Sequence, residues 1–500
     1  MINSVNHPLP PGRGSFKHTA AQLHSELKIR ELTADSRSVK SGDTFVAYQG
    51  DRQDGRDYIA DAIERGAGSI IWDSNDFVWP AQWAHVKHRP VAQLKENISE
   101  LASVVYGSPS QKMRVVGVTG TNGKSTCSLW IAQLLSLQAV SCGLMGTLGN
   151  GIWPHLTSSV NTTLDAIECQ KRLKQFSEAM CRDCVMEVSS HGLVQGRVRG
   201  INFIGAVFTN LTRDHLDYHL TMQAYGEAKA LLFQACDLKW AVINIDDEFG
   251  RELFERYKNI IPKVMGYSVV PTDDPAVLFA ANIKLDLYQT TFDVVDGGVA
   301  RSVTAPILGR FNVANLLAVL AALKCLGLNL DQVIASLPKL QSPKGRLEKV
   351  LLNHGPVVVI DYAHTPDALE QVLLTLKELI PEPRKLICVV GCGGNRDAGK
   401  RLLMGEVADK FSDQVIITND NPRDEDPLAI AEAIRKGVAV KEAKIILDRR
   451  QAIEFALNMA THNDVVLIAG KGHETYQEIK GIKSFFSDHE VVNQWSRGRG

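Results

Sequence analysis

The sequence has no long apolar run. No stretch of its 500 residues reaches the roughly 18 consecutive apolar residues that a membrane-spanning helix requires. Residues 1–14 contain prolines and polar residues in place of an apolar segment, so we expect no signal peptide. The sequence therefore predicts a cytoplasmic protein that does not span a membrane.

The chain also has almost no net charge. Its 55 basic and 56 acidic side chains leave a formal charge of −1, which gives no argument for nucleic acid or an acidic membrane as a partner. A hydrophobic content of 45% and a charged content of 22% are ordinary for a globular protein. Because 500 residues are too many for one hydrophobic core, we expect three domains.

The nine cysteines are scattered and odd in number. Cys181 and Cys184 form a single CxxC without a second pair, so a zinc or redox site is the less favoured interpretation. Cys325 and Cys388 lie in apolar stretches, where a free thiol packs as a small hydrophobe. The pattern indicates a reduced protein, in agreement with a cytoplasmic location.

The most informative stretch is residues 115–126, which reads as a buried strand, a glycine loop and the start of a helix. Gly120 and Gly123 permit a tight backbone path, and the loop with its helix N-terminus favours an anion. Lys124 adds a positive charge, and the Ser125 hydroxyl is suited to ligate Mg²⁺ beside phosphate. The stretch predicts a phosphate-binding loop.

This loop departs from the general pattern G-x-x-x-x-G-K-[ST] at one position, because Val118 stands where the first glycine is expected. The alternative is an ordinary strand-turn-helix with a chance Gly-Lys-Ser. We favour the phosphate loop because strand, glycines, lysine, hydroxyl and helix follow in the required order.

Residues 1–110 are predicted to form a first, small α/β domain that ends in a linker at 106–110. Ser36 and Arg37 lie in a turn before a strand and are candidates for ligand binding. A capped turn without a ligand explains them equally well.

Residues 111–342 repeat a strand-then-helix rhythm, which implies a mostly parallel sheet with ligands at the carboxyl ends of its strands. Polar residues follow the apolar stretches at 184–191, 205–210 and 240–244. Glu187 and His215 occupy such positions, where a carboxylate suits the Mg²⁺ beside the loop serine and an imidazole suits a second ion. Considered alone, Glu187 or His215 is more simply explained as a buried polar group with its hydrogen bonds satisfied. Because both follow a phosphate-binding loop, we favour the interpretation that they bind metal.

Residues 343–500 form a third α/β domain, with strands predicted near 357–361, 386–390, 415–418 and 465–468. Each strand is followed by a polar or glycine-rich stretch, at 362–366, 391–397, 419–423 and 470–474. Four polar loops at one edge of a sheet make a substrate site. A single phosphate site and a separate polar site indicate phosphoryl chemistry that activates one substrate for attack by another.

Seven segments together resemble the Mur ligases, the ATP-dependent amide ligases that build the peptidoglycan stem peptide. They are residues 119–126 (TGTNGKST), 186–193 (MEVSSHGL), 210–219 (NLTRDHLDYH), 308–315 (LGRFNVAN), 361–366 (DYAHTP), 420–423 (DNPR) and 470–474 (GKGHE). The last two resemble most closely the members that add 2,6-diaminopimelate. The resemblance extends from Asp35 to Glu474.

The resemblance implies a central P-loop parallel-sheet ATPase domain (111–342). A smaller α/β domain that binds a UDP-substrate (1–110) and a Rossmann-like domain that binds an amino acid (343–500) flank it. It implies ATP and Mg²⁺ as cofactors, and an acyl-phosphate intermediate on the D-glutamyl γ-carboxylate. It also explains Val118, because the family loop T-G-T-N-G-K needs no earlier glycine. We expect a monomer whose partners are small molecules.

The resemblance implies a role for each matching residue. The predicted catalytic residues are Lys124, Glu187, His215 and Lys229, the last as a carbamylated lysine; the predicted metal ligands are Ser125, Glu187, His215 and carbamylated Lys229. The predicted ATP-binding residues are Gly120, Thr121, Asn122, Gly123, Lys124, Ser125, Thr126, Asn312, Arg346 and Asp361. The predicted UDP-substrate residues are Ser36, Asn161, Thr162, Thr163, Ser189, Gln195 and Arg197. The predicted diaminopimelate-binding residues are Arg396, Asp420, Asn421, Pro422, Arg423, Gly470 and Glu474.

Two of these predictions have plain alternatives. Lys229 also reads as a solvated helix lysine, and residues 420–423 also read as a surface turn. In the first domain, Asp51, Arg52 and Gln53 fill a loop where the family pattern has His-Gln-Ala, so the uridine contacts are the part of the site that the resemblance supports least.

Three other functions compete with this interpretation. A folylpolyglutamate synthetase is disfavoured by residues 35–37, and the ligase that adds D-alanyl-D-alanine is disfavoured by residues 420–423. A nucleotide-dependent switch without ligase chemistry would not need four polar loops in the third domain.

Overall fold

The computed structural model describes residues 16–50, 53–159, 161–235, 237–350, 352, 355–380, 383–440 and 442–498. Asp51 and Arg52, where the sequence departs from the family pattern, lie outside the described residues. The chain forms two compact units. The first comprises Met1–Phe279, Asp296–Val299 and Asn315–Ile334, and the second comprises Ala280–Val295, Ala300–Ala314 and Ala335–Gly500.

The first unit contains a small four-stranded parallel sheet in the order β1-β2-β3-β4. Its strands are β1 (Leu32–Thr33), β2 (Thr44–Ala47), β3 (Ser69–Asp73) and β4 (His88–Val91), and its helices are α1 (Lys17–Leu27), α2 (Ile59–Glu64) and α3 (Leu94–Val105). Val46 and Ile71 pack with α1 and α3 on one face, while Phe45 and Ile70 pack with α2 on the other. Both faces are covered, as expected for a parallel sheet.

A second, larger sheet of the first unit carries the predicted phosphate loop. Its strands are β5 (Arg114–Thr119), β6 (Cys142–Gly146), β7 (Gly149–Ile152), β8 (His155–Thr157), β9 (Asp183–Glu187), β10 (Phe203–Phe208), β11 (Trp240–Asn244) and β12 (Val264–Ser268), followed by β13 (Val277–Leu285). The helices of this part are α4 (Lys124–Leu137), α5 (Ala166–Glu178), α6 (Ser190–Val194), α7 (Leu216–His219), α8 (Met222–Ala230), α9 (Glu248–Tyr257), α10 (Arg310–Cys325) and α11 (Leu330–Ser336).

This sheet has 11 strands, and the run β13-β12-β11-β10-β5-β9-β6-β7-β8 within it places β5 between β9 and β10. These three strands are parallel to one another, and near one edge β7 pairs antiparallel with both β6 and β8. The chain passes from β5 to β6 on one side and later returns past β5 to β10. The carboxyl ends of β5, β9 and β10 therefore meet where the strand order reverses, which is where open α/β sheets bind ligands.

The second unit contains a six-stranded sheet in the order β16-β17-β21-β18-β19-β20. Its strands are β16 (Glu348–Val350), β17 (Val357–Asp361), β18 (Leu386–Val390), β19 (Gln414–Ile417), β20 (Ala443–Ile445) and β21 (Val465–Ala469); β14 (Thr290–Asp296), β15 (Val299–Ala305) and the hairpin of β22 (Tyr476–Ile479) and β23 (Ile482–Phe485) complete the strands. The helices are α12 (Pro366–Leu379), α13 (Gly399–Phe411), α14 (Pro427–Arg435), α15 (Arg449–Met459) and α16 (Asp488–Arg497). All but β16 run parallel in the six-stranded sheet.

Alternating strand residues of this sheet supply two cores. Val359 and Cys388 pack with α12, α13 and α14 on one face, and Ile360 and Val389 pack with α15 and α16 on the other. The predicted α/β fold class is confirmed, and the strands predicted in the second and third domains lie where the sequence placed them. Within the described ranges, no helix combines the length and the apolar character that crossing a membrane requires.

The described cysteines are all free thiols, and Cys181 and Cys184 are both buried. The described residues also contain no group of three His, Cys, Asp or Glu side chains placed to hold a metal ion. The CxxC is thus part of the packed interior of the first unit, where Cys181 and Cys184 belong to one apolar cluster.

Candidate functional site

The predicted phosphate loop connects β5 to α4 and depends on two glycines in the left-handed region. Gly120 has φ 147° and Gly123 has φ 85°, conformations that side chains with a Cβ rarely adopt. A Cβ on Gly120 would also overlap the Thr209 side chain, and one on Gly123 would overlap the Asn315 amide. The loop can follow this path only because both positions lack a side chain.

Two lysines point at the same atom of the loop. Lys124 Nζ donates to the carbonyl oxygens of Gly120 at 2.9 Å and Thr121 at 2.8 Å, and Lys229 Nζ donates to the Gly120 oxygen at 2.9 Å. The Lys229 side chain is buried, and its Nζ lies 4.1 Å from the centroid of the Tyr225 ring. Burial, and secondly the charge of Lys124, lower the pKa of Lys229 to about 6. Both effects favour the uncharged amine of Lys229 over its ammonium form.

Beside the loop, Ser125 and Glu187 are in direct contact. Ser125 Oγ donates to Glu187 Oε2 at 2.8 Å, and the Thr147 backbone N–H donates to Glu187 Oε1 at 2.8 Å. Glu187 ends β9 and is buried. Gly146 makes room for its carboxylate, because a Cβ there would overlap Glu187 Oε1. Hydroxyl and carboxylate oxygens thus converge next to the phosphate loop.

His215 lies at the surface. Its side chain is 47% exposed, its Nε2 is 3.4 Å from Asp214 Oδ2, and its backbone has φ 52°. The His215 ring centroid is 4.8 Å from that of His191 and 6.1 Å from that of Tyr225. Of the predicted metal ligands, Ser125 and Glu187 are therefore in direct contact. His215 and Lys229 both lie near the ring of Tyr225.

The other predicted ATP-binding residues of the loop are held by the segment that follows β10. The backbone N–H groups of Thr121 and Asn122 donate to the main-chain and side-chain oxygens of Asn210 at 2.8 and 2.9 Å. Thr126 lies buried in the first turn of α4. The strand β10 therefore fixes the loop's shape from one side.

Several predicted UDP-substrate residues meet at the end of β9. Thr163 Oγ1 donates to the Glu187 carbonyl oxygen at 2.9 Å and accepts from the Ser189 backbone N–H at 2.9 Å. Arg197 Nη1 donates to the Thr163 carbonyl oxygen at 2.7 Å. Thr162 is joined to the Glu187 group through Thr147 Oγ1, at 3.0 Å. This segment therefore lies within one hydrogen-bonded network with the carboxylate of Glu187.

The other three predicted UDP-substrate residues are Asn161, Gln195 and Ser36. Asn161 is exposed, and Gln195 forms the C-cap of α6. Ser36 is buried in a short 3₁₀ turn after β1, where the neighbouring Asp35 caps the turn by accepting from the Arg37 N–H. Ser36 therefore belongs to the small first α/β region, three residues after β1.

A cavity of about 630 Å³ lies between the first sheet and α5. It is lined by Glu31, Leu32, Thr33, Ala34, Asp35, Ser38, Lys40, Asp43, Tyr48, Asp165, Ile167, Glu168 and Lys171. Asp165 caps α5 two residues after Thr163, so the cavity begins where the predicted UDP-substrate segment ends. Ser36 is not in the lining, but both Asp35 and Ser38 are.

The second unit contains three predicted nucleotide-binding residues, Asn312, Arg346 and Asp361. Asp361 ends β17 and accepts backbone N–H bonds from Leu347 at 2.6 Å and Ala363 at 2.7 Å. Burial raises the pKa of Asp361. The Arg346 guanidinium lies 4.9 Å from the Tyr362 ring centroid, and Asn312 Nδ2 donates to the Leu308 carbonyl oxygen at 3.0 Å.

The four predicted polar loops do lie at one edge, since they follow the parallel neighbours β17, β21, β18 and β19. Arg423 has φ 51°, and its Nη1 donates to the Gly394 carbonyl oxygen at 2.7 Å while its Nε lies 3.6 Å from Glu478. The Arg423 guanidinium is therefore fixed in direction by the neighbouring loop. Arg396, the other predicted arginine, is exposed.

Sequence reasoning missed a buried lysine in this group. Lys471 Nζ donates to Asn421 Oδ1 and to Glu474 Oε2, both at 3.0 Å, and Asn421 Nδ2 donates to the same Glu474 oxygen at 2.9 Å. Gly470 has φ 115°, and a Cβ there would lie 2.7 Å from Asp420 Oδ2. The available signal was the placement of Lys471 between two glycines, three residues before Glu474.

A fully buried arginine lies behind these loops. Arg449 donates from Nε and Nη2 to the two carboxylate oxygens of Asp488, each at 2.8 Å. It also donates to the carbonyl oxygens of Asn419 at 3.2 Å and Ala469 at 3.0 Å. Arg449 thus joins the first residue of the 419–423 loop and the last residue of β21, just before the 470–474 loop, to α16.

Three family models match the chain in order. They describe the Mur ligase family catalytic domain at residues 28–106, the Mur ligase middle domain at residues 118–323, and the Mur ligase glutamate ligase domain at residues 345–472. The chain belongs to the Mur ligase family. The resemblance found in the sequence is confirmed, and this Mur ligase is an enzyme that joins an acid to an amine.

Relatives match this Mur ligase over nearly its whole length. A protein of Chromobacterium violaceum named UDP-N-acetylmuramoyl-L-alanyl-D-glutamate–2,6-diaminopimelate ligase is 46% identical over 471 residues, 94% of each chain. A protein of Nitrosomonas europaea with the same name is 43% identical over 500 residues, 96% of each chain. A solved structure with that name is 38% identical with a TM-score of 0.70, and the match covers 94% of this chain and 95% of that one.

Proposed function

We propose that this Mur ligase adds meso-2,6-diaminopimelate to UDP-N-acetylmuramoyl-L-alanyl-D-glutamate at the expense of ATP, a cytoplasmic step of peptidoglycan synthesis. The observation that carries the proposal is the contact between Ser125 and Glu187 beside the phosphate loop, at 2.8 Å. The Ser125 hydroxyl and the Glu187 carboxylate are oxygen ligands of the kind that Mg²⁺ prefers, and they lie beside the loop that favours an anion. The names of the relatives supply the substrates.

The reaction proceeds in two steps. An oxygen of the D-glutamyl γ-carboxylate attacks the γ-phosphorus of ATP, the bond to the β,γ-bridging oxygen breaks, and ADP leaves with those electrons. The uncharged amine of diaminopimelate then attacks the acyl carbon, loses a proton, and inorganic phosphate leaves. Phosphorylation is needed because a carboxylate is a poor electrophile. Lys124, and the N–H groups of the loop, offset charge on the transferred phosphoryl group.

The residues at Ser125 and Glu187 fit Mg²⁺, which prefers oxygen ligands. Gly146 supports the assignment, because its missing Cβ leaves the space that the Glu187 carboxylate fills. When bound there, Mg²⁺ would neutralise phosphate charge.

His215 and carbamylated Lys229 would serve a second Mg²⁺. An uncharged buried amine is the form that adds CO₂, and the product is an anion with two oxygen donors. The lowered pKa of Lys229 supports this modification, since an ammonium group has no lone pair with which to react.

The other site roles extend the same proposal. Thr162, Thr163, Ser189 and Arg197 would bind the UDP-substrate with Asn161, Gln195 and Ser36, and the adjacent cavity is large enough to take part of it. Asn312, Arg346 and Asp361 would contact the nucleotide. Arg396, Asp420, Asn421, Pro422, Arg423, Gly470 and Glu474 would bind diaminopimelate. We further propose three domains, at 1–110, 111–342 and 343–500, and a monomer.

One assay tests the function. Purified protein is incubated with ATP, Mg²⁺, the UDP-dipeptide and one candidate amino acid at a time, and ADP and product mass are measured. ADP formation that requires both the dipeptide and meso-diaminopimelate, with a product of the tripeptide mass, is the expected result. ATP hydrolysis without the dipeptide would indicate a nucleotide switch. Product with glutamate or with D-alanyl-D-alanine would instead assign the chain to another ligase of this class.

A further inference from the structure

Three side chains at the edge of the second unit form a closed hydrogen-bonded triangle. Lys471 donates to Asn421 Oδ1 and Glu474 Oε2, and Asn421 Nδ2 donates to Glu474 Oε2. Asn421 Oδ1 accepts a second bond from the Glu478 backbone N–H at 3.0 Å. Both ends of the Asn421 amide and one oxygen of Glu474 are therefore occupied within the protein.

The lysine is the most deeply buried member of the triangle. Its side chain has no exposed surface, whereas that of Glu474 is 18% exposed. Gly470 and Gly472 on either side have positive φ values, and a Cβ on Gly472 would lie 2.8 Å from Tyr362 Cβ and 2.9 Å from the Gly345 carbonyl oxygen. The backbone on either side of Lys471 thus packs closely against Asp420 and against Tyr362, the residue after β17. This close packing restricts the position of the Lys471 ammonium group.

This arrangement leaves one carboxylate oxygen for a ligand. Within the described part of the chain, the side-chain hydrogen bonds of Glu474, from Asn421 and Lys471, both go to Oε2, and Oε1 accepts none. A carboxylate held by one oxygen presents the other in a set direction, which favours binding of a cationic group. Pre-orienting a binding group lowers the entropy lost when the ligand binds.

We propose that Lys471 is a positioning residue for the amino-acid substrate: it fixes Glu474 so that Oε1 receives the distal ammonium group of diaminopimelate. The proposal rests on the proposed function and goes beyond it, because it assigns a role to a residue that never touches the substrate. Asn421 then has a second role beside its proposed contact with diaminopimelate, because its side chain also holds Glu474.

The test compares Lys471→Met and Lys471→Gln with wild type. Lys471→Met has a side chain of similar length but no charge. Lys471→Gln retains a hydrogen-bond donor without the charge, and its kinetics provide the test if Lys471→Met does not fold. Losing a hydrogen bond to a charged group predicts a kcat/KM for meso-diaminopimelate lower by roughly 10- to 100-fold, mainly through KM. The KM values for ATP and the UDP-dipeptide should stay within about twofold of wild type, because the change is local to the amino-acid site. Misfolding would instead change the KM values of all three substrates.

A second substrate gives a readout that a purely structural role would not change. 2-Aminopimelate keeps the reacting amine but lacks the distal amino group. Wild type should prefer meso-diaminopimelate, and this preference should shrink in the Lys471 variants because the ammonium contact is what they weaken. Lys483→Met is the matched control: Lys483 is exposed and its Nζ lies 4.5 Å from the ring of Tyr476, the ring that Lys471 also approaches at 5.5 Å.

The outcomes are distinct. A folded Lys471 variant that keeps both the wild-type KM for meso-diaminopimelate and the wild-type preference overturns the inference. Wild type that makes no product with meso-diaminopimelate overturns the proposed function itself. A raised KM confined to the amino acid, with Lys483→Met unchanged, supports the role assigned to Lys471.

Discussion

Lys124 and Lys229 donate to one acceptor, the carbonyl oxygen of Gly120, each at 2.9 Å. The two amines come from different helices, α4 and α8, and only Lys229 is deeply buried. Burial, and secondly the charge of Lys124, lower the pKa of Lys229 to about 6. The two lysines of the loop therefore differ in burial, and only Lys229 is shifted towards the neutral amine.

The charged lysine is tested by Lys124→Met. We expect ADP formation to fall by about 10²- to 10³-fold, because the variant loses the charge directed at the phosphates. Circular dichroism and the thermal midpoint should remain close to wild type, since Lys124 begins α4 and is only partly buried. Lys112→Met, at an exposed position in the same unit, is the control. Near-normal turnover by folded Lys124→Met would contradict the phosphate-loop assignment.

The carbamate is tested by chemical rescue. Lys229→Ala should be nearly inactive and should regain activity when short carboxylic acids are added, because their oxygens replace those of the carbamate at the metal. Activity is measured against acid concentration at constant ionic strength. Lys239→Ala, at an exposed position, should neither lose activity nor respond. Full activity of Lys229→Ala without added acid would rule the carbamate out as a catalytic group.

The neutral lysine also predicts how stability changes with pH. Between about pH 6 and 10.5 the unfolded chain binds a proton at Lys229 that the folded chain lacks. The free energy of unfolding should therefore rise with pH in that window, by up to about 1.4 kcal/mol per pH unit from this one group. Denaturant unfolding in CO₂-free buffer at pH 7 and pH 9 measures the change.

In Lys229→Met that contribution is absent, so the difference in unfolding free energy between wild type and variant should grow with pH. Lys239→Met should follow wild type. Parallel pH profiles for wild type and Lys229→Met would mean that the buried amine keeps its proton.

The metal site is tested by Glu187→Gln. The amide cannot supply a charged ligand, so the Mg²⁺ concentration for half-maximal activity should rise by about tenfold or more. Ser125→Ala should raise it in the same direction but by less, because a hydroxyl is a neutral ligand. The measurement is ADP formation against Mg²⁺ at saturating ATP, with exposed Glu178→Gln as control. An unchanged Mg²⁺ requirement in Glu187→Gln would place the ion elsewhere.

Selection of the amino acid is tested by Arg423→Ala. L-Lysine lacks the distal carboxylate of meso-diaminopimelate, and a site built for a missing polar group can discriminate by roughly 10⁴. Wild type should therefore use L-lysine poorly, and Arg423→Ala should lose most of the preference, because a fixed guanidinium suits a carboxylate. The ratio of kcat/KM for the two amino acids is the readout, with Arg435→Ala as control, a side chain 52% exposed on α14. If Arg423→Ala retains the preference, Arg396→Ala is the next variant to measure.

The local parts of this molecule were predictable from sequence. Strand β5 and helix α4 follow from a short β-branched run, glycines and an apolar period, all of which lie within about 25 residues. The four loops at one edge of the second unit follow from the rule that parallel strands end together. The family motifs then assigned roles that no local pattern contains.

What escaped prediction depends on residues distant in sequence. Thr147 and Glu187 meet across 40 residues and Lys229 reaches Gly120 across 109, so both contacts require the strand order to be known. The role of Lys471 depends on burial, and its polar sequence context resembles that of an exposed turn. The cavity is lined by residues of the first sheet region and of α5, which are distant in sequence, so no single element predicts it.

The buried pair of Arg449 and Asp488 has a consequence for the order in which the chain is made. The two residues are 39 positions apart, and Arg449 emerges from the ribosome first. A buried charge without its partner is strongly unfavourable, so the arginine cannot settle behind the loops at Asn419 and Ala469 until Asp488 has been synthesised. The strands of the second unit can pair during translation, but we expect the loops that Arg449 joins to become fixed only after α16 has been synthesised.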